Sequence, residues 1–201
     1  ERLGLGPTDC HALNPRLAYG RVTGWGREGP LAAAPGHDLN YVALTGVLAA
    51  IGTPSSGPVA PLNLLGDFAG GGAFLALGVL AAIIEARTSG RGQIVDAAMV
   101  DGASSLASMI WGMRSGGWWP GGRGENMLDG GAHFYGVFEC ADGKWITLGS
   151  IEPPFYAALL RELELDPTPF AAQMDARLWP QLRTAVAAAV RRRTRDEWSA
   201  R

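Results

Sequence analysis

Cysteine and histidine are scarce in this chain and neither sign of charge dominates it, and each shortage removes a class of function. The two cysteines, Cys10 and Cys140, have no CxxC spacing and no secretory context, so a disulfide framework is not indicated and a reduced, cytoplasmic setting fits. Three histidines without a second ligand pair at zinc spacing give no metal centre. Seventeen basic against 19 acidic residues leave a net charge of −2, which offers no electrostatic footing for nucleic acid. All the basic residues but Lys144 are arginine, a coding bias rather than a functional signal. The chain opens on Glu1 with no methionine, no charged-then-apolar leader and no cleavage pattern, and reads as an excerpt of a longer protein. One apolar run, Phe68 to Ile84, carries no charge over 17 positions, short of the ~20 that a spanning helix wants. That run is expected to be a buried core helix, not a membrane anchor.

What is present is enough for a full hydrophobic core. The chain has 201 residues, 47% of them hydrophobic and 18% charged, ordinary for one globular domain or one and a half. The first part alternates strand and helix. Leu17 to Thr23 is a β-rich run closed by Gly24, and Asp38 to Ala50 carries apolar residues at helical spacing. Pro54 to Pro61 is a Ser/Gly/Pro loop. Asp67 to Thr88 is the long helix, stopped by Ser89-Gly90. Gln93-Ile94-Val95 is a brief strand, and Asp96 is expected to cap a helix running to about Ser115.

The pattern then changes. Residues 116–131, rich in glycine around Trp118-Trp119-Pro120, are expected to link a first region, 1–115, to a second, 132–201. In the second, Phe134 to Cys140 and Lys144 to Gly149 read as strands around Asp142-Gly143, the strongest short hairpin signal. Pro153 opens a helix to about Leu165, Leu178 to Arg193 forms another, and Thr194 begins a third. The fold class is therefore α/β, followed by a smaller α+β region with an antiparallel hairpin.

Gly24-Trp25-Gly26-Arg27-Glu28-Gly29 matches G-x-G-x-x-G after a strand, but a dinucleotide site needs a helix N-terminus there. Pro30 and Pro35 follow too closely for a helix to begin, so the segment is read as a flexible loop. His11, in a polar turn, reads as a surface residue, and His133, leading into a strand, as a structural one. His37 sits between Gly36 and Asp38 at the start of an amphipathic helix. Position alone leaves two roles open for it, a helix-end residue or an acid–base. Asp67 is likewise either an N-cap or an acid, and Glu152 is either a first-turn carboxylate favoured by the helix dipole or a functional group.

Several motifs in order narrow those choices. Gly36-His37-Asp38-Leu39-Asn40-Tyr41, Gly66-Asp67-Phe68-x-Gly70-Gly71-Gly72, and Arg91-Gly92-Gln93 running into Val95-Asp96-Ala97-Ala98-Met99 together resemble the family III coenzyme A transferases. Asn14-Pro15-Arg16-Leu17 upstream, and Tyr135, Phe138, Cys140 and Asp142-Gly143 downstream, are similar to the same superfamily. His37 and Ile151-Glu152-Pro153-x-Phe155-Tyr156 resemble its α-methylacyl-CoA racemase branch. The likeness covers nearly the whole chain but lacks that family's N-terminal Rossmann-like half and its C-terminal return. It implies part of a Rossmann-like large domain followed by a small α+β domain, from an interlocked homodimer.

The resemblance also implies a chemistry. Inverting a stereocentre beside a thioester carbonyl needs a proton removed from one face and returned to the other, with His37 and Asp67 as the two acid–bases. Histidine titrates near neutrality, about 6.5, and serves in either role. An aspartate needs burial to act as an acid, which the apolar, glycine-rich setting of Asp67 is expected to supply. The N–H groups of the helix that Asp67 begins are expected to receive the enolate oxygen, and Gly70 to Gly72 to let the thioester approach the backbone. The same carry-over gives Glu152 the task of orienting His37, in trans within the dimer. Gly36, His37, Asp38, Leu39, Asn40 and Tyr41 become contacts to the acyl-CoA, and Arg2 a phosphate contact. Coenzyme A is part of the substrate, and no separate cofactor or metal is implied. Two alternatives remain: a CoA-transferase with Asp67 as nucleophile, and an inactive fragment. Trp111, Trp118 and Trp119 line an acyl channel or serve the core or an interface.

Overall fold

Two short β-rich runs far apart in sequence, Tyr19–Thr23 (β1) and Ile94–Ala98 (β4), pair in parallel with Tyr19 opposite Ile94 and Thr23 opposite Ala98. They form the centre of the first of two units, Glu1–Ala49 with Val59–Ser115; the second comprises Ala50–Pro58 and Gly116–Arg201. The computed structural model describes residues 3–201, so Arg2 lies outside the described residues. Helix and strand are mixed in both units, in keeping with the α/β class.

In the first unit, Pro7–Leu13 (α1) precedes β1 and Asp38–Leu44 (α2) follows the loop after it. No helix forms between β1 and α2, as Pro30 and Pro35 require. His11, expected at the surface, is half-buried, with Nε2 2.8 Å from the Leu17 carbonyl. The helix expected over 38–50 is broken: Val47–Ala50 (α3) is separate, because Gly46 adopts φ +81°. The long helix starts earlier than expected, as a π-helical segment Leu64–Ala73 that continues into Phe74–Ser89 (α4) and ends on left-handed Gly90. Asp96 does not cap the next helix. It lies within β4, opposite Arg21, and its carboxylate takes that guanidinium at 2.8 Å. Met99–Leu106 (α5) and Ser108–Ser115 (α6) follow.

The long apolar helix is not buried within the described chain. Leu75 and Val79 close over Gly20 of β1, and Val95 of β4 fits against Gly78, so one face sits on the parallel pair. The rest is open: Phe68, Leu77, Leu80 and Ile84 are each about 60% exposed or more. By length and composition alone Leu64–Ser89 is apolar enough to cross a membrane. The expectation of an all-round buried helix fails because two strands and α5 are too narrow to cover it.

In the second unit, Gly52–Thr53 (β2) and Gly57–Pro58 (β3) make a small antiparallel pair in the Ser/Gly/Pro loop. The Asp-Gly hairpin forms as Tyr135–Glu139 (β5) and Trp145–Gly149 (β6), turning on Gly143 at φ +72°. Pro153–Glu162 (α7), Trp179–Val190 (α8) and Arg195–Ser199 (α9) pack on it, and Thr194 caps α9 through a Glu197 capping box. Phe134, Phe138, Tyr156, Leu163, Phe170, Trp179 and Val186 form one continuous core. Residues 116–131 carry dense internal bonding. Asn126, 2% exposed, bonds Gly121 and Gly122, while Asp129 accepts from the amides of Gly124 and Asn126. The glycine-rich stretch is therefore a folded loop from Gly121 onward, with Trp119 buried behind it.

Candidate active site

His37 is the last extended residue before α2. Its amide donates to the Asn40 side chain at 3.0 Å, which fixes where the helix begins. The imidazole-bearing residue itself is exposed. Behind it the Tyr41 ring is buried and meets Trp25 edge-on at 4.6 Å, and its hydroxyl donates to the Gly36 carbonyl. A β-carbon on Gly24 would lie 2.2 Å from that ring, and one on Gly36 2.8 Å. Both glycines are thus required by the aromatic wedge under His37. The Gly24–Gly29 loop is tied as well, with the Gly26 amide on the Thr23 hydroxyl and Gly24's carbonyl on the Val100 amide. The loop read as flexible is anchored at its start.

Asp38, next to His37, turns inward. Its residue is 4% exposed, and one carboxylate oxygen, Oδ2, accepts from the amides of Gly66 at 2.7 Å and Asp67 at 2.8 Å. The other oxygen, Oδ1, is buried and has no hydrogen-bond partner. His37 and Asp67 therefore stand one covalent step and one hydrogen bond apart, so the structure brings the two sequence-predicted bases to one corner of the first unit. Asp67 is half-buried, on the fourth residue of the π-helical segment rather than at its cap, and its carboxylate receives the Asn63 amide group at 3.1 Å. A ten-residue π-helical stretch is rare, and such widenings concentrate at functional sites.

Two sequence-based expectations about this corner change. The Gly66 and Asp67 amides are not open to an enolate oxygen, since Asp38 already occupies both. Gly70 and Gly71 do not face open space. A β-carbon on Gly70 would lie 2.8 Å from the Ala103 amide, and one on Gly102 of α5 only 2.0 Å from the Gly70 carbonyl. They let two helices touch backbone to backbone; only Gly72 is unencumbered on its outer side. Leu39 and Asn40 are exposed beside His37.

Glu152 belongs to the second unit. It is exposed at the N-cap of α7, and its carbonyl accepts from the Tyr156 amide. Tyr156 is the residue that motif reading undervalues. Its hydroxyl lies 2.6 Å from Nε2 of the fully buried His133 and 3.2 Å from the Phe170 carbonyl. Burial holds His133 down at about 4 and Tyr156 up at about 12. His133 is thus structural, as its place before a strand indicates. Trp111 packs on Gly46, Trp118 is exposed and Trp119 is buried. A cleft of about 1050 Å³ opens in the second unit beside Pro54, Gly131, Trp145 and Arg183, and contains none of the predicted catalytic residues. Among the described residues there is no cluster of three or more His, Cys, Asp or Glu able to hold a metal.

The profile of CoA-transferase family III matches residues 1–201. The chain is 43% identical over 198 residues to alpha-methylacyl-CoA racemase from Mus musculus and to that from Homo sapiens, covering 98% of this chain and 52% of each relative. It is also similar to Rv3272 of Mycobacterium tuberculosis, a probable fatty acyl-CoA transferase, at 38% identity over 107 residues, 53% of this chain and 27% of that protein. A crystal structure of Rv3272 superposes with a TM-score of 0.74 at 27% identity, over 99% of this chain and 53% of that one. The chain spans about half the length of the curated racemases it matches.

Proposed function

The chain belongs to CoA-transferase family III, and from that premise we propose that the intact protein epimerises 2-methylacyl-CoA thioesters by moving one proton between the two faces of the α-carbon. The observation that carries this reading is the joining of His37 and Asp67 at one corner through Asp38, in a chain 43% identical to two racemases. One base takes the α-proton, and the C–H electron pair delocalises onto the thioester oxygen as an enolate. The other group returns a proton to the opposite face. Histidine suits both halves of this cycle because its ordinary titration lies near neutral pH. The enolate oxygen needs donors other than the Gly66 and Asp67 amides.

In this reading the segment Gly36 to Tyr41 lies along the acyl-CoA and Arg2 meets a phosphate. Glu152 orients His37 within a homodimer, and the protein works in the cytoplasm without a cofactor beyond its own substrate. The test is α-proton exchange in D2O with each enantiomer of a 2-methylacyl-CoA and no acceptor acid present. Racemisation with deuterium incorporation is expected.

A second reading has one observation in its favour. Asp67 is half-buried, not sealed in the core, and its carboxylate has a single side-chain partner, Asn63, which suits a nucleophile. In that case its oxygen attacks the thioester carbonyl and CoA leaves as thiolate, giving a mixed anhydride. The thiolate then attacks the Asp67 carbonyl, releasing the acid. Turnover that requires a second carboxylic acid, with no exchange in its absence, selects this reading.

A further inference from the structure

We infer that Asp38 is a positioning residue that acts through Asp67 rather than a contact to the substrate; this rests on the racemase reading of the same corner. Three observations carry it. The Asp38 side chain points into the protein, not toward the exposed surface occupied by His37, Leu39 and Asn40. A single oxygen, Oδ2, holds the amides of Gly66 and Asp67 together at 2.7 and 2.8 Å. Gly66 is shaped to this clamp, since a β-carbon there would lie 2.7 Å from that same oxygen.

The consequence is geometric. His37 is carried by α2 and Asp67 by the π-helical segment. Among the described residues, Asp38 is the side chain that bonds the Asp67 backbone to the residue adjacent to His37. Its carboxylate also takes two amides of the widened helix's first turn, which lack intrahelical partners. Removing it releases Asp67 from its register while leaving His37 on its own helix cap, held by Asn40. The second oxygen, Oδ1, is buried without a partner, so the two amides on Oδ2 are the whole return for burying this carboxylate. An asparagine at 38 keeps an acceptor oxygen for both amides, removes the charge and puts an NH2 group in the place of Oδ1.

The experiment compares Asp38→Ala, Asp38→Asn and Gly66→Ala in the intact protein. Asp38→Ala is expected to lower kcat for racemisation about 100-fold, the scale of a small misplacement of a catalytic group, with KM within about twofold. Exchange must become one-sided: the enantiomer whose α-proton faces His37 still exchanges readily with D2O, while the one facing Asp67 exchanges about 100-fold more slowly than in wild type. Asp38→Asn is expected to recover activity to within about tenfold of wild type, and Gly66→Ala, which displaces the carboxylate without touching it chemically, to repeat the one-sided loss. Equal slowing at both faces, or a raised KM with kcat unchanged, overturns the assignment and makes Asp38 a substrate contact. Wild-type protein that exchanges neither enantiomer overturns the racemase reading instead. The clamp is then decided alone by amide hydrogen exchange, which must show Gly66 and Asp67 protected in wild type and in Asp38→Asn and unprotected in Asp38→Ala.

Discussion

At the scale of the residue, the two proposed bases, His37 and Asp67, are expected to make distinct contributions that substitution separates. In the intact protein His37→Ala and Asp67→Ala are each expected to abolish racemisation with folding preserved, each keeping α-proton exchange for one enantiomer only. Chiral separation of deuterated product checks this, and full racemisation surviving in Asp67→Ala removes the two-base scheme. A second residue-scale prediction concerns the second unit. His133 is fully buried against Tyr156 and titrates at about 4 instead of 6.5. The unfolded chain therefore binds a proton there first, and stability falls as pH drops from about 6.5 to about 4. The gap is worth about 3 kcal/mol at most. Urea midpoints between pH 7 and 4 read it out, and His133→Gln must flatten the slope relative to wild type whatever its own starting stability. Carboxylates such as Glu164, held low by Arg193, act in the same direction at lower pH and are common to both proteins. Tyr156 works in the opposite range: its hydroxyl resists ionising up to about 12, so stability is lost above the ordinary phenol value near 10.

At the scale of the element, the site rests on backbone contact between the π-helical segment and α5. The Gly102 β-position is 2.0 Å from the Gly70 carbonyl, and no side chain can yield there because the obstacle is main chain. Gly102→Ala is expected to cost about 3 kcal/mol or more, at or beyond the upper end of overpacking. A denaturant titration measures it, and a change under about 0.5 kcal/mol, typical of a neutral surface site, would dispose of the contact as a structural requirement. The same contact shows where a sequence stops being legible. Turns and caps with their own chemistry are readable: Asp142-Gly143 in the hairpin, Pro153 at the start of α7, Thr194 with Glu197 on α9. Asp96 misleads because a residue that pairs with Arg21 across a parallel register looks locally like a helix cap. The glycines at 70 and 71 pass for substrate contacts because a glycine's neighbour is invisible in sequence. The role of Asp38 is hidden for the same reason, since amide donors 28 and 29 positions away leave no periodic mark. His37 and Asp67 are legible as a pair through the family motifs, not through spacing.

At the scale of the whole molecule, the open apolar side of Leu64–Ser89 and the half-length match to the racemases bear on how the chain is to be assayed. Leu77, Leu80 and Ile84, spaced to share one helical face, all stand exposed, and exposed apolar faces of this kind mark contact surfaces. The 201-residue chain expressed alone is therefore expected to bind an apolar dye and to self-associate, and sedimentation with dye titration reports both. The placement of Glu152 is the matching question. It sits in the second unit, while His37 and Asp67 sit in the first, and the proposed homodimer has Glu152 of one subunit serving His37 of the other. If so, co-expressing a His37→Ala chain with a Glu152→Ala chain creates heterodimers in which one site keeps every group and the other loses two. Activity per heterodimer is then expected near half of wild type, well above either parent. Were the three residues to act within one chain, each site of the mixed dimer would carry one defect and no recovery would occur. A control with both substitutions on the same chain, mixed with wild type, fixes the scale. Recovery at or below the parental levels ends the shared-site proposal and leaves Glu152 as the N-cap carboxylate of α7.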